Sequence, residues 1–430
     1  MKADAPVVFV ASGTRGDVQP YLALARALQR SGVPVRIASH TQFQTWVEAQ
    51  DLPYAALSDN PSEWLARTPT LFTAPPSTRV LRNSLVYLST ARDMTARLLT
   101  SAARACAGAS AIVAGLSSLW VGSIAEAANV PVVWAFLQPL TPTRAFASSV
   151  WPLRHSSAVA SRASYTVVDA ASWWPWRSVV NRWRRAHTLP ALGARGMLHR
   201  LHERGDTILN GFSRHLVAAP ADWPAGCAPA GFWFAETAPM LNAATERFLE
   251  AADDVVYFGA GAGSAMDPRA LLALAHDALL RLNARAVVNL HGAEHVPDAF
   301  KARMHAAQDL PHAALFPRLR AVVHHGGAGT TAEVARAGVP AVVLPVFADQ
   351  FFWAERAHAA GVAPAPIPQR RLSRSGLAAA LQAALGHEPM RSSARALAER
   401  IRGEDGIAAA VATISSVVAR AARERRDWRR

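Results

Sequence analysis

The sequence predicts an α/β protein of two doubly wound domains, each a parallel sheet with helices on both faces. Three observations predict it. A strand, a glycine-bearing loop, a helix and a second strand follow one another over 7–39, and the same succession starts again at 255. At 430 residues the chain is long for one hydrophobic core and comfortable for two. Finally, the run HHGGAGTTAE at 324–333 follows a buried strand and opens a helix, which is how such sheets hold anions beyond the carboxyl ends of their strands.

The elements follow in chain order. Val7–Ala11 is a short apolar run, and 12–20 is rich in glycine and polar residues. Over 21–31 apolar residues recur at helical spacing, with Leu22, Ala25 and Leu28 on one face, until Gly32 stops the pattern. A second strand is predicted at 35–39, which completes a βαβ unit and hence the start of a parallel sheet. The pattern returns with a strand at 111–114, a helix at 119–128 and a strand at 132–135. The second half repeats it: a strand at 255–258, a glycine-rich loop at 259–267, and a helix at 268–282 with Pro268 in its opening turn. Further buried strands are predicted at 286–289, 321–324 and 341–344, with helices at 331–337 and 351–360 between them. Domains are expected at 1–235 and 250–405, followed by a C-terminal helix at 406–430 that packs back on the first domain and carries a basic tail.

Composition narrows the classes. An apolar share of 51% is that of a soluble α/β protein and excludes a disordered chain. The two cysteines, Cys106 and Cys227, have neither disulfide-framework nor metal-ligand spacing, which suits a reducing cytoplasm. The N-terminus lacks the apolar core of a secretory signal, and no uninterrupted apolar run is long enough to cross a bilayer. The net charge of +14 concentrates at 144–204 and at 420–430, where six arginines face Glu424 and Asp427; the plain reading of that tail is a solvated, poorly ordered terminus. Over 144–204, Trp151, Trp173, Trp174, Trp176 and Trp183 lie among arginines with few acids. Three readings stay open there: rings packed in the core, a wall for a greasy acceptor, or peripheral contact with an anionic membrane. No nucleic-acid-binding motif accompanies them, and none is expected to bind.

The segment 324–333 is the most informative. A helix start offers unpaired N–H groups and the positive end of the helix dipole to an anion. Small residues at 326–329, including Ala328 and Gly329, let phosphate oxygens reach the backbone, while Thr330 adds a hydroxyl and His325 an imidazole N–H. Glu333 lies about one turn on, where a carboxylate can accept hydrogen bonds from ribose hydroxyls. The other candidate is Asp17, in the loop GTRGDVQP that follows the first strand. A carboxylate there can act as a general base or cap the following helix, and the residues alone favour neither.

The stretch HHGGAGTTAEVARAGVPAVVLPVFADQ at 324–350 resembles the donor-binding signature of the family that contains plant, sterol and antibiotic glycosyltransferases. That resemblance implies the GT-B fold, in which two Rossmann-like domains face each other across a cleft. It implies that His325, Ala328, Gly329 and Thr330 hold the diphosphate, Glu333 the ribose, and Asp349 and Gln350 the sugar hydroxyls. DLPHAALFPRLRAVVHHGG at 309–327 resembles the sterol branch, in which residues matching Leu310 and His312 flank the base. The loop 259–266 resembles the family's glycine-serine loop, with Ser264 in the donor-binding position.

In the same family Gly16-Asp17-Val18-Gln19-Pro20 aligns with the plant Gly-His-x-x-Pro loop, and the sterol and antibiotic branches have Gly-Asp-Val there. The resemblance thus implies that Asp17 is the base and that Thr14 and Arg15 contact the donor, Arg15 helping to neutralise the leaving diphosphate. The plant enzymes' orienting aspartate has no counterpart in VAGLSSLW at 113–120. The expected function is inverting, metal-independent transfer of a hexose or deoxyhexose from a UDP- or TDP-linked sugar to a hydroxyl of a lipid, sterol-like or polyketide acceptor. No cofactor is expected, and the expected location is cytoplasmic or peripheral at the inner face of the membrane. Three alternatives remain: an epimerase of the same fold, a non-catalytic nucleotide-binding scaffold, and a nucleotide-dependent oxidoreductase. The last lacks a full G-x-G-x-x-G at 13–16 and an acid after the second strand.

Overall fold

Six short strands build the first sheet: β1 (Val7–Ala11), β2 (Val35–His40), β3 (Tyr54–Leu57), β4 (Ala111–Ala114), β5 (Val132–Phe136) and β6 (Thr207–Asn210). The computed structural model describes residues 5–59, 78–151, 157–235, 240–259, 266–290, 295–308 and 310–427, and only the backbone of 78–91. All six strands are parallel, in the order β3-β2-β1-β4-β5-β6. β1 is buried along its whole length, as a parallel strand covered on both faces must be.

The helices of this unit are α1 (Arg15–Arg30), α2 (Thr78–Ala105), α3 (Val121–Ala128), α4 (Ala158–Trp173), α5 (Arg177–Ala186) and α6 (Met197–Glu203). α1 starts six residues before the apolar periodicity does. Thr14 and Asp17 supply a capping box that nucleates it early, and Pro20 is absorbed in the second turn.

The second unit has β7 (Val255–Gly259), β8 (Arg285–Asn289), β9 (Met304–Ala306), β10 (Ala321–His324) and β11 (Ala341–Val343), parallel in the order β11-β10-β7-β8-β9. Its main helices are α7 (Ala243–Glu250), α8 (Pro268–Leu282), α9 (Ala328–Ala337), α10 (Gln350–Ala359), α11 (Arg374–Gly386) and α12 (Glu388–Arg402). Leu271, Leu272, Leu279, Leu377 and Leu381 close its core over Val256, Phe258 and Val323. The order therefore reverses between β1 and β4 in one sheet and between β7 and β10 in the other. Each reversal is a topological switch point, where the loops beyond the strand ends diverge and leave room for a ligand.

By its contacts the chain divides into Met1–Arg214 with Ala218–Ala235 and Asp405–Arg430, and His215–Val217 with Glu236–Glu404. The last helix, α13 (Gly406–Asp427), belongs to the first unit: Ala410, Ile414 and Val417 share a core cluster with Val18, Leu22 and Leu28 of α1. The basic tail differs from the expected disordered terminus. It is helical to Asp427, and a guanidinium N–H of Arg425 donates to the Ser110 carbonyl at 3.2 Å. The stretch Glu388–Asp427 also contains a window long and apolar enough to cross a membrane, where no such run was expected. Within it Ala410, Ile414 and Val417 pack in the core cluster that includes α1.

The Trp/Arg region does not behave as one block. Trp173 is buried and donates its indole N–H to the Gly193 carbonyl at 3.0 Å, whereas Trp174 is exposed. Arg184 is fully buried and pairs with Glu126 at 2.9 Å, and Arg200 pairs with the same carboxylate at 2.7 Å. These two guanidinium groups hold Glu126 down to about 2 against the upward push of its burial.

Candidate active site

The first switch point carries Asp17 on the opening turn of α1. Its Oδ2 accepts the backbone N–H and the hydroxyl of Thr14, each at 2.8 Å. Burial raises the carboxyl above the usual 3.8, and the two Thr14 bonds oppose that rise. A carboxylate so raised is a better base than a solvated one. Gly13 makes the geometry available: its φ is +129°, and a Cβ there would lie 2.4 Å from Asp17 Oδ2.

Behind this turn His40, at the end of β2, lies buried with its Nε2 2.9 Å from the Ser12 hydroxyl and 3.4 Å from the Gly13 N–H. Ser117, after β4, donates its hydroxyl to the Ser12 carbonyl at 2.5 Å. Tyr21 donates to the Ala135 carbonyl at 2.6 Å. The strand ends of β1, β2, β4 and β5 are thus tied together around the turn that presents Asp17.

The second switch point carries the β10–α9 turn. Gly327 is the N-cap of α9 and no side chain caps the helix, so its first N–H groups remain for an anion. His325 Nε2 sits over this cap, 2.6 Å from where a Cβ on Gly327 would be. His324 is buried, and its Nδ1 accepts the Gly326 N–H at 3.1 Å. Burial lowers His325 to about 4 and His324 to about 3, the latter helped by the neighbouring His325 and His312. Both rings are therefore neutral at physiological pH. His325 offers an N–H, and the positive potential comes from the helix dipole.

Glu333 is one turn into α9, and its Oε2 accepts from Arg336 at 2.6 Å. Burial pushes its carboxyl up while Arg336 pulls it down. Gly326, with φ +89°, lies so close to the next loop that a Cβ would be 2.8 Å from the Gln350 carbonyl oxygen. The β10–α9 turn and the Asp349–Gln350 pair are thereby brought together. Asp349 Oδ2 accepts the indole N–H of buried Trp353 at 3.1 Å. Gln350 is buried, and its Oε1 accepts the N–H groups of Val346 and Phe347 at 2.8 and 3.3 Å, which fixes the side-chain amide against this loop. Ala348, just before the pair, holds a left-handed φ of 52°, a strained conformation of the kind that clusters at functional sites.

Leu310 is buried, and His312 stacks on Phe316 at 4.3 Å with the rings 16° apart, while the Tyr257 hydroxyl lies 3.4 Å from its Nε2. Thr14 is spent on Asp17, and Arg15 lies over the Trp46 ring at 5.1 Å, so the structure gives both local partners within the first unit. Ser264 lies outside the described residues. Sequence reasoning missed His40, Tyr21, Arg336 and Trp353. For His40 a signal existed: it ends a parallel strand beside the switch point, where polar residues face ligands.

Among the described residues no group of three metal-ligating side chains occurs. Residues 7–147 match the model of the glycosyltransferase family 28 N-terminal domain, and 265–412 match the erythromycin biosynthesis protein CIII-like C-terminal domain. A sterol 3-beta-glucosyltransferase of Arabidopsis thaliana is 32% identical over 424 residues, covering 94% of this chain and 67% of that protein. The sterol 3-beta-glucosyltransferase of Emericella nidulans is 30% identical over 94% of this chain and 29% of its own length. The chain thus spans about two thirds of the plant relative and under a third of the fungal one. Among solved structures, the glycotransferase of kitacinnamycin superposes with a TM-score of 0.71 at 16% identity, covering 96% of this chain and 99% of that one. The glycosyltransferase VinC in complex with dTDP gives 0.64 at 18% identity, covering 97% and 100%.

Proposed function

The chain belongs to the GT-B glycosyltransferase family that includes the sterol 3-beta-glucosyltransferases, and from that premise we propose that it transfers a hexose or deoxyhexose, with inversion and without a metal, from a nucleoside-diphosphate sugar to a hydroxyl of a lipophilic acceptor. The β10–α9 turn carries the proposal. An uncapped helix start, a neutral imidazole over it and a ribose-height carboxylate form a diphosphate cradle, with Asp349 and Gln350 packed against it.

In this mechanism Asp17 takes the proton of the acceptor hydroxyl as its oxygen attacks the anomeric carbon from the face opposite the diphosphate. The bond to the diphosphate oxygen breaks, and its electron pair leaves with that oxygen. The N–H groups of Ala328, Gly329 and Thr330 and the imidazole N–H of His325 stabilise the charge that develops. Asp349 can only accept from the sugar, and Gln350 donates to it. The dTDP bound to VinC supports a nucleoside-diphosphate donor such as a UDP- or dTDP-linked sugar, with the His312–Phe316 stack beside the base, and the sterol 3-beta-glucosyltransferase relatives support a lipophilic acceptor.

The test is a thermal-shift panel of nucleoside diphosphates alongside NAD(P), followed by donor hydrolysis and transfer with the best binder. A nucleoside diphosphate at 100 times its Kd should add about 2.7 kcal/mol of stability. Stabilisation by NAD(P) alone, or nucleotide binding with no sugar release or transfer, overturns the reading.

A further inference from the structure

Arg336 lies one turn beyond Glu333 on α9, and a guanidinium N–H of Arg336 donates to Glu333 Oε2 at 2.6 Å. On an open helix face such a pair stabilises the helix only slightly. This pair is not on an open face: the Glu333 side chain is 13% exposed and that of Arg336 24%. A carboxyl withdrawn from water takes up a proton unless a cation holds it ionised. Here burial pushes the group up, while Arg336 pulls it down by its charge and its hydrogen bond.

The elements packed against α9 supply no second counter-charge. Before α9, His312 stacks on Phe316, and Arg318 pairs with Glu246. Arg356 on α10 lies over the Phe352 ring. On α12, Arg395 pairs with Glu388, and Arg402 donates to the Arg336 carbonyl at 3.3 Å. Among the described residues Arg336 is the one charged group that acts on the Glu333 carboxyl. The two oxygens of Glu333 are therefore distinct. Oε2 is committed to Arg336, and Oε1 accepts from no protein group among the described residues. A carboxylate pinned through one oxygen presents the other in a fixed direction, as a hydrogen bond from a ribose hydroxyl requires.

We propose that Arg336 is a positioning residue of the nucleoside subsite, which keeps Glu333 ionised and directs its Oε1 at the ribose. The inference rests on the reading of the β10–α9 turn as a nucleotide site, and adds the group that sets the strength of its ribose contact. Without Arg336 the half-buried carboxyl has no counter-charge and takes up its proton at a higher pH. A neutral acceptor makes a hydrogen bond about half as strong as an ionised one, so nucleoside affinity should fall roughly fivefold at neutral pH.

The test is titration of uridine, thymidine, UDP and dTDP into the full chain across pH 5–8, with the melting temperature recorded beside each. Wild type should lose nucleoside affinity only at the acid end, where the Glu333 carboxyl is protonated. In Arg336→Met that loss should begin at a higher pH. Arg336→Lys restores a charge without the planar fork and should return the profile towards that of wild type. Glu333→Gln removes the titrating group, so Arg336→Met made in that background should leave the pH profile unchanged. A mere helix staple would lower the melting temperature and leave the profile of Arg336→Met on that of wild type, which overturns the proposal. An equal loss of affinity with and without the Glu333 carboxyl overturns it too, because Arg336 would then act without Glu333. Should Arg336→Met fail to fold, Arg336→Lys against Arg336→Gln makes the same comparison. Wild type that binds none of the four ligands defeats the reading of the site and this inference with it. Wild type that binds them while the Arg336 variants match it defeats this inference alone.

Discussion

At Asp17 one carboxylate has the geometry of the cap and leaves the base reading open, the two readings that the residues alone left even. It is the third residue of a capping box whose N-cap is Thr14, and it is the group that the family resemblance makes the base. Asp17→Asn keeps an acceptor for Thr14 and removes the basicity, so transfer should fall on the order of 10² or more with donor affinity unchanged. Near wild-type turnover would reduce Asp17 to a cap. Its raised pKa also has a sign for stability. A carboxyl raised by burial contributes stability below 3.8 that is lost as pH rises through the raised value, so at neutral pH the charge destabilises the fold. Asp17→Asn should therefore melt no lower than wild type at pH 7, and a clear fall would contradict the cost of burial.

In the second unit, His325→Ala should weaken nucleoside-diphosphate binding and spare the bare nucleoside. Glu333→Ala should weaken both, by roughly 1.5–3 kcal/mol. Equal nucleoside losses in the two would remove the division between phosphate and ribose. Asp17, His325 and Glu333 were legible because each follows a strand the eye can find. Arg336 and Trp353 were not, because an arginine or tryptophan on a helix reads as surface or core until its carboxylate partner is placed.

At the scale of elements, hydrophobic runs located β1, β4 and β10 to the residue, because a parallel strand buried on both faces is a continuous apolar string. β3, β6 and β9 escaped because Tyr54–Leu57, Thr207–Asn210 and Met304–Ala306 are edge or near-edge strands with polar or partly exposed positions. Helix α4 escaped for another reason. Three of its five buried residues, Ser161, Ser164 and Asp169, are polar, so no apolar period announced it.

The end of β10 makes an element-scale prediction. His324 is neutral in the fold and lowered to about 3, so its contribution to stability is present above 6.5 and is lost as pH falls from there towards about 3. His324→Asn keeps an acceptor for the Gly326 N–H without the titrating ring. Its melting temperature should fall less steeply between pH 6 and pH 4 than that of wild type, as followed by circular dichroism. Parallel pH profiles in the two proteins would place the acid sensitivity elsewhere.

At the scale of the whole molecule, the repeat of strand, loop, helix and strand made two sheets legible, and the sequence led us to expect a C-terminal helix that packs back on the first domain, although not which residues hold it there. α13 follows the second unit in the chain and belongs by its contacts to the first, where Ala410, Ile414 and Val417 complete the cluster over α1. That arrangement separates two properties that a single-core protein would lose together. Ending the chain at Asp405 removes two large buried side chains, Ile414 and Val417, from the first unit. At about 1.5–3 kcal/mol each, the loss is about 3–6 kcal/mol, comparable with the whole stability of many domains. It also uncovers Val18 and Leu22, on the helix that opens with Asp17. The truncated chain should therefore lose transfer activity and become protease-sensitive within 5–235, while 236–404 still binds a nucleoside diphosphate by calorimetry. Proteolysis followed by mass spectrometry reads the first outcome and titration the second. Loss of nucleotide binding in step with the first unit's unfolding would mean that the two units fold as one cooperative body, and that α13 supports the phosphate cradle as well as the turn that presents Asp17.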